Sequence, residues 1–238
     1  MKKIGFISHY KNLLFFALKR YESNNYQSMR EYFASVLVID LKDFVDLNEK
    51  KILDVGGSSG EFSKYISENF NCEIINLDPS PVDPVWKTVT SSADDIPFDD
   101  ETFDVIFFRG VLEHIEPSLQ LKSIKEIYRI MKKDAIGYFV IPPWYNPHAG
   151  HGLKPFHLLP FPIAKFLRNL FFQKKVKYNS LSEASLYKVT HSGAAKLIKS
   201  SGFDILDTLD THFRFHKITK IPFLREFLVP AVAFIVKK

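Results

Sequence analysis

Three groups of residues have the types and spacing to do chemistry. The first is "ILDVGGSSG", residues 52–60, where an apolar run ends in Asp54 and passes through Gly56, Gly57 and Gly60 before a helical pattern resumes. Glycines let a backbone turn with positive φ and come close to a ligand. The second is Asp78 in "INLDPS", 18 residues after Gly60 and at the end of the next apolar run. An acid about 20 residues beyond a glycine turn is placed to accept hydrogen bonds from the two hydroxyls of a ribose. The dinucleotide pattern G-x-G-x-x-G does not fit, because Ser58 and Glu61 stand where glycines are needed, and no Lys-Ser/Thr pair of a phosphate loop follows. Asp54 would repel a pyrophosphate but suits a cationic or amino-bearing ligand. The third group is His148, His151 and His157 in "PPWYNPHAGHGLKPFHLLPFP". Histidine takes protons near neutral pH, and Gly150 and Gly152 give His151 a tight loop. Spacings of three and six also suit a metal, but residues 135–182 hold no acid, so the expectation is no metal and His151 as the catalytic residue.

These residues need elements to hold them. Short apolar runs at 51–55, 73–77, 86–90, 104–108 and 135–141 alternate with helical segments, the best at 60–69 and 118–132. Such alternation predicts βαβ units and a parallel sheet covered on both faces. Residues 9–48 read as helical, with Tyr26, Met29, Arg30, Phe33, Val36 and Leu37 at three- and four-residue spacing. Beyond Ile141 six prolines break the alternation. Amphipathic basic segments follow at 163–175 and 192–201, then strand-like runs at 204–209 and 230–236 that suit an antiparallel pair.

Together with "ILDVGGSSG" and "INLDPS", the segment "SSADDIPFDDETFDVIFFRGVLEHIEPS" resembles the class I S-adenosylmethionine-dependent methyltransferases, specifically the type 11 group, over about residues 26–141. The resemblance implies a Rossmann-like α/β sheet, mostly parallel with its last strand antiparallel, and S-adenosylmethionine as cofactor. It implies a glycine turn of Asp54, Gly56, Gly57 and Gly60 against the methionine and ribose, and Asp78 on the ribose diol. Ser92 and Ala93 line the adenine; the family usually has an Asp at 92, and Asp94 stands by as a second acceptor. Arg109 and Gly110 border the carboxylate and the methyl group. Glu113 and His114 of "LEHI" are family-typical and read as structural. Ser58 departs from the usual middle glycine and fits if its φ stays negative. "IPPWY" follows the fifth strand, not the fourth, and so is not the amide-nitrogen methylation motif.

The expected organisation is one domain: a helical cap at 1–48, a cofactor-binding core at 49–142, a substrate lid at 143–201 and sheet-completing strands at 202–238. One cysteine, Cys72, excludes an internal disulfide and a multi-thiolate zinc site. The N-terminal residues carry no small-residue cleavage site and no run reaches the length of a membrane span, so a cytoplasmic protein is expected. Charge divides unevenly, with 17 Lys and Arg against 22 Asp and Glu in residues 1–153, and 15 against 5 in residues 154–238. The basic third suits an anionic partner, and the expected one is the inner face of a membrane. "NPHAGHGLKPFHLLP" is also similar, over a short span, to loops of methyltransferases that modify glycans and glycolipids. The acceptor expected is therefore a small molecule or a glycan or lipid-linked sugar hydroxyl. RNA methylation and a non-catalytic binding role are the rivals. The first lacks a recognisable RNA module, and the second fits poorly with a nearly intact glycine turn.

Overall fold

The computed structural model describes residues 6–19 and 25–238. The side chain of Tyr26, one of the residues expected on the first helical stripe, lies outside the described residues, as do the first five residues of the chain.

Seven strands form one sheet in the order β3-β2-β1-β4-β5-β7-β6. They are β1 (Lys51–Val55), β2 (Glu73–Asp78), β3 (Thr88–Thr90), β4 (Phe103–Arg109), β5 (Met131–Ile141), β6 (Asp204–Asp210) and β7 (Val232–Lys237). The first five run parallel, with Leu53 beside Ile75 and Ile106. β7 lies antiparallel between β5 and β6. The chain therefore has the mostly parallel sheet expected, with its last strand reversed.

Each central strand is apolar on both faces because both faces are covered. On β4, Ile106 and Phe108 point to one side, toward α4 (Pro117–Ile130) and α6 (His191–Ser200), where Ile124, Ile127, Ala194 and Ile198 meet them. Val105 and Phe107 point to the other side, toward α2 (Asn25–Leu41) and α3 (Glu61–Asn69). Helix α2 enters this core through Ala34, Leu37, Val38 and Leu41, a stripe of one helical face. Local chemistry starts the other helices. Pro117 opens α4 at a position that needs no N–H, and the Thr190 hydroxyl caps α6 by accepting from the Gly193 N–H at 2.9 Å.

Helix α1 (Phe6–Lys19) and α2 are tied to the segment after β6. The Asp40 carboxylate pairs with Arg214 and accepts from the Tyr138 hydroxyl at 2.8 Å. His9 bonds the His212 carbonyl, and the Tyr10 hydroxyl donates to the Phe213 carbonyl at 2.5 Å. The helical cap thus closes over the carboxyl ends of the central strands. α5 (Phe161–Phe171) stands apart, sharing a small core of Leu153, Ala164 and Val176 with the turns around it. Helix α6, placed by sequence within the lid segment, instead packs into the main core through Ala194 and Ile198. The final short helix, α7 (Pro222–Phe227), has no fully buried residue.

Candidate active site

The glycine turn lies at the carboxyl end of β1, where α/β sheets bind their ligands. Gly56 has φ 74°, and a Cβ there would meet Val111 Cγ2 at 2.2 Å; no other residue fits without moving β4's loop. Ser58 differs from expectation: its φ is 57°, in the left-handed region where a side chain costs roughly 1–2 kcal/mol. Both sides of the residue are held there. Its N–H donates to Asp78 Oδ2 at 2.8 Å, and its carbonyl accepts from Asn76 Nδ2 at 2.9 Å. Asn76, fully buried on β2 and also donating to Thr88 Oγ1, is a turn residue that the sequence reading missed. Its signal was available, since a buried amide inside an apolar strand needs partners.

Asp78 ends β2 as expected. Its two oxygens accept from the N–H groups of Ser58 and Ser80. A carboxylate has about four acceptor positions, so two remain for a diol. Asp54 is placed otherwise than its sequence position suggested. It is buried, accepts from Ser63 Oγ at 3.1 Å and faces Arg109 Nη2 at 3.4 Å. Its charge is therefore matched within the protein and is not bare toward a ligand. The Arg109 guanidinium lies 3.4 Å from the centre of the Phe62 ring, and its buried Nε has no partner among the described residues.

Two cavities meet at Gly56. One, about 240 Å³, runs between Leu77 and Pro79 on one side and Ile115 and Leu119 on the other, with Ser92, Ala93, Asp94 and His114 at its edges. The second, about 320 Å³, is walled by Arg109, Gly110, Phe62 and Tyr138 and roofed by Met29, Arg30, Phe33 and Val36 of α2. The three- and four-residue stripe read from the sequence thus faces a cavity more than the closed core. Asp94 lines its cavity while its carboxylate pairs with Lys122 Nζ at 3.2 Å. A flat apolar slot, an acid with free acceptor positions and a buried guanidinium with an unpartnered Nε suit the adenine, ribose and methionine carboxylate of S-adenosylmethionine in turn. Another cavity, about 430 Å³ between α2 and β6, touches none of the glycine turn.

The histidines separate. His157 is buried behind the site, donates from Nε2 to the Trp144 carbonyl at 2.8 Å and packs on Gly150; burial lowers its pKa. His148 is held by Asn146. His151 turns toward the sheet, its Nε2 3.7 Å from Glu113 Oε1 and its ring edge-on to His114 at 4.7 Å. Glu113, read from sequence as structural, is 3% exposed, and its Oε2 has no partner. A Cβ on Gly110 would stand 3.6 Å from Glu113 Oε1; Gly110 lines the larger of the two site cavities and His114 the smaller, so this cluster stands beside both.

A family model described as a methyltransferase domain matches residues 26–175. An uncharacterised methyltransferase of Mycobacterium leprae (strain Br4923) is 25% identical over 199 residues, covering 78% of this chain and 71% of that protein. One from Mycobacterium tuberculosis (strain H37Rv) is 26% identical over 197 residues, covering 76% and 73%. Among solved structures, an S-adenosylmethionine-dependent methyltransferase from Archaeoglobus fulgidus superposes with TM-score 0.58 at 17% identity, over 95% of this chain and 99% of that one. The 1,6-didemethyltoxoflavin-N1-methyltransferase of Burkholderia thailandensis, solved with 1,6-didemethyltoxoflavin and S-adenosylhomocysteine, gives 0.57 at 13% identity, over 100% and 92%.

Proposed function

The chain belongs to the methyltransferase-domain family of S-adenosylmethionine-dependent enzymes, and we propose that it methylates a hydroxyl oxygen of a small molecule or of a glycan or lipid-linked sugar. When bound, the cofactor supplies a methyl group activated on a sulfonium. The protein's tasks are to hold the acceptor oxygen in line, exclude water and ease the loss of the acceptor's proton. Asp78 holds the ribose, Ser92 and Ala93 border the adenine, and Arg109 takes the carboxylate. The observation that carries the acceptor class is the meeting of His151 with Glu113 beside Gly110. A neutral amine already has a free lone pair, whereas a hydroxyl must lose a proton and gains from a group placed to promote that. His151 serves that step.

Replacing His151 with alanine should slow methyl transfer by about 10²–10⁴, the usual weight of such assistance, with cofactor affinity unchanged. Normal turnover in that variant would remove the role.

The acceptor's lipid-linked form is favoured by α5. Ile163, Phe166 and Leu170 lie along one exposed face of this helix, continued by Phe171 and Phe172. Exposed Lys174, Lys175 and Lys177 follow directly. Large apolar residues on a solvent face beside lysines suit an anionic lipid surface. No helix among the described residues is long and apolar enough to cross a membrane, so contact of this kind would be peripheral.

A further inference from the structure

We infer that Glu113, His114 and His151 form a site for one divalent first-row transition ion beside the two site cavities. The inference rests on the proposed role of His151 and names its means: the ion binds the acceptor oxygen, and His151 holds the ion.

Each of the three residues offers one ligand atom, and these atoms lie within 4.8 Å of one another. Bonds of about 2.0–2.2 Å at tetrahedral angles put two ligand atoms roughly 3.3–3.6 Å apart, so the cluster closes on an ion by a side-chain movement of about an ångström. The state of His114 is set by its surroundings. Its Nδ1 lies 2.7 Å from the Ser185 carbonyl. A carbonyl only accepts, so Nδ1 carries the hydrogen and Nε2 presents a bare lone pair. Metal-binding histidines are prepared in this way, the second nitrogen tied to a carbonyl or carboxylate. Glu113 points the same way. It is buried, Oε2 is without a partner, and among the described residues no lysine or arginine forms an ion pair with it. A buried carboxylate left so poorly matched is costly unless a cation completes it. The Glu113 carbonyl accepts from the Tyr187 N–H at 2.8 Å, which fixes the short helical turn that carries both Glu113 and His114. His151 reaches the cluster from the proline-rich loop with φ 45°, a conformation that ordinarily costs energy and is retained where surrounding structure or function requires it.

The donor set selects the ion. Two imidazoles and one carboxylate suit zinc, cobalt, iron or manganese better than magnesium or calcium, which favour oxygen. Three protein ligands leave a position open, as in catalytic sites. His151 is partly exposed, so solvent and an incoming acceptor can reach the ion. An acceptor hydroxyl bound there loses its proton to water at lower pH than when free. Its oxygen then forms the new bond to the methyl carbon as the carbon–sulfur bond breaks, and the sulfur leaves as a neutral thioether.

The test uses untagged, full-length protein stripped with a chelator and titrated with Co²⁺ and Zn²⁺ in the absence of any acceptor. Calorimetry and elemental analysis should find one ion per chain, and Co²⁺ should develop a visible absorption band. Glu113→Gln and His151→Ala should each weaken binding at least tenfold, while Asp78→Ala should bind the ion normally. Circular dichroism confirms folding, and the loop variant His151→Ala keeps the test valid if Glu113→Gln unfolds. Wild-type protein that takes up no ion, or both variants binding as tightly as wild type, would overturn the site. Full-rate methyl transfer by stripped enzyme would overturn the ion's role. Either result leaves the methyl-transfer reading standing on its own assay.

Discussion

Asp78 is the residue to which we assign the ribose in the proposed cofactor site. Two of its acceptor positions hold the turn, through Ser58 and Ser80, and two remain for the ligand. Hydrogen bonds to a charged group are worth about 1.5–3 kcal/mol, so Asp78→Ala should weaken S-adenosylmethionine at least tenfold. The loss of the Ser58 N–H partner adds to this, because Ser58 sits in a strained left-handed conformation that Asp78 helps hold. Calorimetry with unchanged affinity would reassign the acid to a purely structural role. The glycine turn and Asp78 were legible in sequence because residues close along the chain build them. Ser58's positive φ was not, since it depends on Asn76 and Asp78 from the next strand. The Asp54–Arg109 and Glu113–His151 meetings were also out of reach. The first joins neighbouring strands β1 and β4 and the second joins the segments after β4 and β5, and only the strand order brings these together.

At the scale of elements, every strand core and the long helices followed from apolar spacing, with ends shifted by a residue or a few. The largest shift is at the N-terminal helical region, read to residue 48 where α2 ends at Leu41, and β5 begins at Met131 directly after α4 where the sequence pattern starts at 135. Spacing could not tell a cavity roof from a core face. Met29, Phe33 and Val36 on α2 have the same period as Ala34, Val38 and Leu41, yet the first three line a cavity. Helix α5 carries the lipid prediction. Vesicles containing anionic lipid should sediment the protein at low salt and release it as salt rises, because screening shortens the reach of the lysines. Phe166→Glu should abolish that binding. Equal, weak binding to neutral and anionic vesicles would mark the face as solvated surface.

Helix α6 makes a separate prediction about stability. His191 at its start is buried against Phe234, and both ring nitrogens lack partners. Burial first, then the charge of Arg225, lowers its pKa to about 4; Lys220 pulls the same way and Glu226 opposes. The folded protein keeps this ring neutral, while the unfolded chain protonates it near 6.5. The unfolded state therefore binds more protons below pH 6.5, so stability is intact above that value and falls as the pH drops toward 4. The loss from this one group is at most roughly 3.5 kcal/mol, taking about 1.4 kcal/mol per pKa unit. Urea midpoints at pH 7.5 and 5 should differ more for wild type than for His191→Phe. An identical acid shift in both proteins would trace it to other groups.

For the whole molecule, the sheet order places the two site cavities at the carboxyl ends of β1, β2 and β4, and α2 roofs the larger of them. The division of charge along the chain was visible in composition, but its use depends on which acceptor enters. The most direct measurement supplies S-adenosylmethionine with a deuterated methyl group to the enzyme and a fractionated cell extract, and follows the label by mass spectrometry. The account predicts label in an O-methyl group of a small molecule or of a glycan or lipid-linked sugar, and strongly reduced labelling with His151→Ala. Label appearing instead in RNA or on a nitrogen, at equal rates with both proteins, would contradict it.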